Sequence, residues 1–146
     1  MEKKIKAKVL LVDDEEDFIS TLSQRLKVRG LDVTGATCGE EALELVEEKT
    51  FDIIVLDLAM PGMDGLETLK TIKDKHPDAE IIMLSGHGTV KTSTEAMKLG
   101  ADDFLEKPVD IKELLNKIDE ASHKRILLIQ KQAKEDINDI LKRKAW

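Results

Sequence analysis

Residues Phe51 to Gly65 constrain this chain more than any other stretch. Ile53-Ile54-Val55-Leu56 is β-branched and apolar without alternation, which predicts a strand covered on both faces, as in a parallel sheet. The run ends on one carboxylate, Asp57, and Met60-Pro61-Gly62 then breaks it. Open α/β sheets place their ligands in the crevice beyond the carboxyl ends of the strands. Asp57 is therefore expected at a chemical site, facing solvent.

The rest of the chain repeats this plan. Lys8–Val12, Leu31–Ala36, Ile81–Leu84 and Asp103–Glu106 read as four further strands. Between them lie three- and four-residue apolar steps, such as Phe18, Ile19, Leu22 and Leu26, or Leu66, Leu69 and Ile72. Those steps predict helices. Gly30 and Gly100 stand where helix C-termini belong, and Asp64 with Glu67 forms a capping-box-like start. Asp110 caps a last helix beginning Ile111, Leu114, Leu115, Ile118. Five strand–helix units with short connections imply right-handed crossovers and a three-layer α/β sandwich with a doubly wound parallel sheet.

All the strand tips of such a sheet open on one edge. Strand one brings Asp13 and Asp14 there, strand three Asp57, strand four Ser85, strand five Lys107. Taken singly, Asp13 and Asp14 would pass as helix-capping carboxylates, and Ser85 and Lys107 as loop residues. Three convergent carboxylates repel one another and call for a cation. Magnesium suits the site, because it takes a few carboxylates, retains waters and completes its shell with phosphoryl oxygens. A hydroxyl and an ammonium opposite offer what a phosphoryl group's other oxygens require.

Four motifs in this order, Leu10-Leu11-Val12-Asp13-Asp14, Asp57 to Gly65, Ser85-Gly86-His87-Gly88-Thr89-Val90 and Phe104-Leu105-Glu106-Lys107-Pro108, closely resemble the receiver domain of two-component response regulators. The resemblance covers roughly residues 6 to 120. It implies the flavodoxin-like strand order 2-1-3-4-5, with Asp57 accepting a phosphoryl group from the phosphohistidine of a sensor histidine kinase. It also implies magnesium held by Asp14 and Asp57, by Asp13 largely through a water, and by the backbone carbonyl of Ala59. Ser85 and Lys107 would contact the phosphoryl oxygens. Ser85 and Phe104 would form the switch, Phe104 turning inward and altering the surface of the fourth helix and fifth strand. Relatives hold the peptide corresponding to Lys107-Pro108 cis. Ala59 and His87 occupy positions that set the phosphoryl lifetime in the family, and the absence of a polar side chain at Ala59 implies slow autodephosphorylation. The Gly-rich loop also resembles receivers that precede an ATPase and DNA-binding output. The implied role is a phosphoacceptor switch rather than an enzyme.

Other classes fit less well. Hydrolases that form an aspartyl-phosphate usually carry an acid two residues beyond the nucleophile, where Ala59 stands. A nucleotide or flavin binder would need a glycine-rich or hydroxyl-rich loop after strand one, and only acids follow it. His87 has no second histidine at ligand spacing and reads as a loop residue. His76 and His123 read as solvated helix-end residues, and Met60, Met63, Met83 and Met97 as packing. No apolar run is long enough to span a bilayer and no signal peptide is evident, so no membrane association is expected. The single cysteine, Cys38, points to a reducing, cytoplasmic setting.

Charge divides the chain. The formal net charge is -7, yet residues 121–146 carry seven Lys/Arg against three Asp/Glu, leaving the body before them strongly acidic. An acidic body argues against direct nucleic-acid binding by the globular part. A receiver domain over 1–120 and a helical extension over 121–146 are therefore expected. In the extension Ile126, Ile129, Ala133, Ile137 and Ile140 keep a helical stripe with no core beneath it. A homodimeric coiled coil, a fold-back or partner helix, and a disordered end are the alternatives. The face of the fourth helix and fifth strand is the other candidate homodimer surface.

Overall fold

The computed structural model describes residues 7–58, 64–86 and 89–144. Five strands, β1 (Lys8–Val12), β2 (Asp32–Ala36), β3 (Ile53–Asp57), β4 (Ile81–Ser85) and β5 (Asp103–Glu106), alternate with five helices. The helices are α1 (Glu16–Val28), α2 (Gly39–Glu48), α3 (Gly65–Lys75), α4 (Val90–Lys98) and α5 (Ile111–Lys144). All strand pairs are parallel, in the order β2-β1-β3-β4-β5. This is the flavodoxin-like order the motifs imply.

Alternate residues of each strand feed opposite faces. Val9, Leu11, Ile53, Val55, Ile82 and Leu84 meet Leu22 and Leu26 of α1 and Leu114 and Ile118 of α5. Leu10, Val12, Ile54, Leu56, Ile81 and Met83 meet Ala42 of α2, Leu69 and Ile72 of α3 and Ala96 of α4. Every residue of β3 and β4 is buried, which is why those runs show no polar alternation. Each fully buried leucine or isoleucine contributes roughly 1.5–3 kcal/mol of transfer free energy, so the two central strands anchor both cores.

The local signals act as read. Asp64 Oδ1 accepts from the Glu67 N–H at 2.8 Å, and the full reciprocal box forms at α4, between Thr89 and Thr92. Gly30 and Gly100 adopt φ of 87° and 108°, the left-handed caps that end α1 and α4. Asp110 accepts from the Lys112 N–H at 2.9 Å at the start of α5. The Lys107-Pro108 peptide is cis. Two readings are corrected. Met97 is 46% exposed rather than packed, because α4 turns Ala96 to the sheet. His123 lies in mid-helix rather than at a helix end, because α5 runs unbroken through 34 residues. Beyond Ala121 that helix carries its apolar side chains, Ile126 to Leu141, on the surface.

Candidate functional site

Parallel pairing in register brings the carboxyl ends of β1, β3, β4 and β5 to one edge. Val12 lies opposite Leu56, Asp57 opposite Leu84 and Ser85 opposite Glu106. The next residue of β1 is Asp13, whose N–H donates to the Ala36 carbonyl at 3.1 Å and keeps it in the sheet frame. Asp13, Asp14 and Asp57 each turn one oxygen into a common space, all within 4.8 Å of one another. Asp13 is 2% exposed and Asp57 5%, while Asp14 is open to solvent. The expected solvent-facing Asp57 is thus corrected: it sits at the edge but is covered by its neighbours.

Lys107 closes the group from β5. Its ammonium donates to Asp13 Oδ2 at 2.6 Å and stands 3.8 Å from Asp57 Oδ1. Its own N–H donates to the Ser85 carbonyl at 2.8 Å, which ties the β5 tip to the β4 tip. Burial pulls the ammonium down, yet the Asp13 hydrogen bond and the charges of Asp57, Asp13 and Glu15 outweigh it and hold the group above the usual lysine range. Lys107 is therefore a firm cation, neutralising one of the three carboxylates.

The remaining charge fits a hard divalent ion. Three oxygen donors on one side, one of them solvent-exposed, match magnesium's habit of taking few protein ligands and keeping waters. Ala59, assigned a backbone ligand by resemblance, and His87 lie outside the described residues. Ser85 is buried at the β4 tip, 3% exposed. Phe104 is half-buried and packs against the core cluster of α2, α3 and α4.

The structure adds residues that the sequence did not single out for the site. The Glu15 N–H donates to Asp13 Oδ1 at 2.9 Å, leaving Oδ2 for Lys107. The Phe18 ring lies beneath the Lys107 ammonium, which is 4.3 Å from the ring centroid. Gly65 lets α3 start directly against the end of β3, its N–H donating to the Leu58 carbonyl at 2.9 Å. A Cβ there would overlap the Asp57 carbonyl and stand 2.6 Å from Leu58 Cα. A glycine immediately after the Asp64 cap was the available signal for that close approach.

Fold and site together define an α/β module with an acidic strand-tip pocket guarded by a lysine. The response regulator receiver domain family matches residues 9–119, and the chain belongs to that family, a class of signalling switch. It is 40% identical over 119 residues to the transcriptional regulatory protein ZraR of Klebsiella oxytoca, covering 81% of this chain and 27% of that protein. The chain thus spans about a quarter of that relative's length. A receiver domain from Clostridium thermocellum superposes with a TM-score of 0.80 at 33% identity, over 84% of this chain and 98% of that one. The beryllofluoride-activated NtrC4 receiver domain dimer gives 0.76 at 40% identity, over 80% and 97%. Among the described residues no helix is long and apolar enough to cross a membrane.

Proposed function

We propose that Asp57 accepts a phosphoryl group from the phosphohistidine of a sensor histidine kinase and that the phosphorylated domain signals through a protein contact. The observation that carries this reading is the convergence of Asp13, Asp14 and Asp57 within 4.8 Å beside the Lys107 ammonium. An Asp57 oxygen attacks phosphorus, the P–O bond forms as the P–N bond breaks, and the imidazole leaves with a proton from solvent. Asp13, Asp14, Asp57 and the Ala59 carbonyl would hold magnesium, which neutralises charge on the phosphoryl oxygens when bound. Lys107 and the Ser85 hydroxyl take up the remaining oxygens. Drawing Ser85 toward the new group frees space for Phe104, whose inward turn reshapes the surface of α4 and β5. Ala59 provides no polar side chain to orient an attacking water, so autodephosphorylation is slow.

Residues 1–120 act as the receiver and 121–146 as a helical extension in this reading. The extension's stripe favours a homodimer through α5, and the α4–β5 face is the second candidate. That the NtrC4 receiver is a dimer supports self-association here. The acidic body argues against direct nucleic-acid binding, and a cytoplasmic setting follows from pairing with a kinase's phosphohistidine. Incubation with magnesium and acetyl phosphate, followed by intact mass, tests the core claim. One phosphoryl mass increment is expected, absent in Asp57→Ala; an increment that survives that substitution overturns the assignment.

A further inference from the structure

Lys107 has two oxygen partners and one that is not an oxygen. The Asp13 hydrogen bond is short, 2.6 Å, and Asp57 is more distant at 3.8 Å. The third partner is the Phe18 ring, in the first turn of α1, 4.3 Å from the ammonium at its centroid. Phe18 itself is half-buried and packed on the core between the sheet, α1 and α5, so the ring is fixed where it lies. The Lys107 side chain is 17% exposed, and a ring face stabilises an ammonium most when water is largely excluded.

The two kinds of partner respond differently when the pocket is filled. An Asp13 oxygen engaged by a cation cannot keep the same short bond to Lys107, because two positive charges then compete for one carboxylate. A hydrogen bond is lost steeply with angle and distance. The attraction of a ring face is broad, holding out to about 6 Å from the centroid. An ammonium released by Asp13 can slide across the ring toward Asp57 and remain inside the pocket. Without the ring, a flexible four-carbon stem would let the strongly hydrated ammonium swing out to solvent.

We infer that Phe18 is a positioning residue for Lys107, keeping its ammonium over the acidic pocket while Asp13 is engaged, so that it meets the phosphoryl group on Asp57. The inference rests on the phosphoacceptor reading above. Its test replaces Phe18 in the full chain by 4-fluoro-, 3,5-difluoro- and pentafluorophenylalanine, which keep the ring's shape while draining its negative face. Phe18→Leu and Phe18→Tyr complete the set. The rate of phosphoryl uptake from acetyl phosphate with magnesium is followed by intact mass, together with thermal midpoint and calorimetric magnesium affinity without phosphodonor.

Uptake should fall stepwise with fluorination, reaching about threefold to tenfold at pentafluorophenylalanine. Phe18→Leu should fall as far and Phe18→Tyr should keep the wild-type rate, with magnesium affinity unchanged throughout. A rate indifferent to fluorination, or one that falls only in step with the thermal midpoint, overturns the role of Phe18 and leaves Asp57 as acceptor. Failure of the wild type to gain mass, or a gain that persists in Asp57→Ala, instead removes the reading on which it stands.

Discussion

The Lys107 ammonium and the Asp13 carboxylate, 94 residues apart in the chain, meet at 2.6 Å, so the tips of the first and last strands are bonded across the site. Asp13 is 2% exposed, and removing its partner would leave an uncompensated buried charge beside two more carboxylates. Such losses cost about 3–5 kcal/mol for fully buried pairs. Because Lys107 retains some solvent contact, Lys107→Met is expected to cost about 2 kcal/mol in urea unfolding with EDTA present. Magnesium at ten times its dissociation constant should return about 1.4 kcal/mol. Equal stability of variant and wild type in EDTA would show that the pair contributes nothing.

Gly65 presents a steric test of the site's frame. Its missing Cβ would overlap the Asp57 carbonyl and lie 2.7 Å from the Leu58 carbonyl oxygen. Both are backbone atoms at the end of a fully buried strand, so neither can rotate away. Gly65→Ala must push α3 off β3 and is expected to cost about 2–3 kcal/mol, in the range of overpacked cores. Phosphoryl uptake at Asp57 should fall with it. A variant whose denaturant midpoint matches wild type would mean that the helix start is free to shift.

How much of this was legible in the sequence depends on what each residue answers to. The strands were readable because Ile53–Leu56 and Ile81–Leu84 are covered on both faces and show it as unbroken apolar runs. The pocket followed from the fold rule, since parallel strands in register deliver Asp13, Asp57, Ser85 and Lys107 to one edge. Phe18 was read as part of the α1 stripe, which it is; nothing in a helical period says that its ring also faces a lysine 89 positions on. The helical extension past Ala121 was legible from the stripe of Ile126, Ile129, Ala133, Ile137 and Ile140, and α5 does run on to Lys144; what covers that stripe was not, because a stripe without a core beneath it names no partner. The burial of Asp57 depends on neighbours from several strand tips, which a single run does not record.

A second charged cluster lies at the opposite end of the sheet. Glu80, 6% exposed, stands 3.5 Å from the Lys124 ammonium of α5, which also lies 3.6 Å from Asp102. Burial, then the hydrogen bond and charge of Asp102, push the Glu80 carboxyl above its ordinary 4.5, and Lys124 draws it only part of the way back. An acid whose folded value is raised binds its proton more tightly in the folded state. Its contribution to stability is full below 4.5 and is lost as pH rises through the folded value. Glu80→Gln carries no such loss. The stability difference, variant minus wild type, should climb as pH rises above 4.5 and level off once the Glu80 carboxyl is fully ionised. Urea unfolding across pH measures it, and a difference that is flat or falls with pH would contradict the sign.

The tail helix supplies the last test. Ile129 and Ile137 are 59% and 58% exposed, and Ile126 and Ile140 41% and 51%, on one stripe with Ala133. Side chains of this size at such exposure add nothing to a lone helix, and helices without packing are marginal in water. Burial of the half that is still exposed in a partner's matching stripe would recover roughly 1 kcal/mol for each. The steps along the stripe are three, four, four and three residues, so Ile126 recurs at Ile137 and Ile129 at Ile140. Over the whole stripe, however, the steps average 3.5 residues, and Ile126, Ala133 and Ile140 stand seven apart, the spacing of a left-handed coiled coil. Two copies pairing through α5 should therefore sediment as a dimer. Ile129→Asn with Ile137→Asn should raise the dissociation constant by about 100-fold or more while leaving phosphoryl uptake at Asp57 intact. A wild-type chain that remains monomeric at its highest soluble concentration, phosphorylated or not, would exclude the pairing, and a dimer indifferent to both asparagines would move the interface to the α4–β5 face.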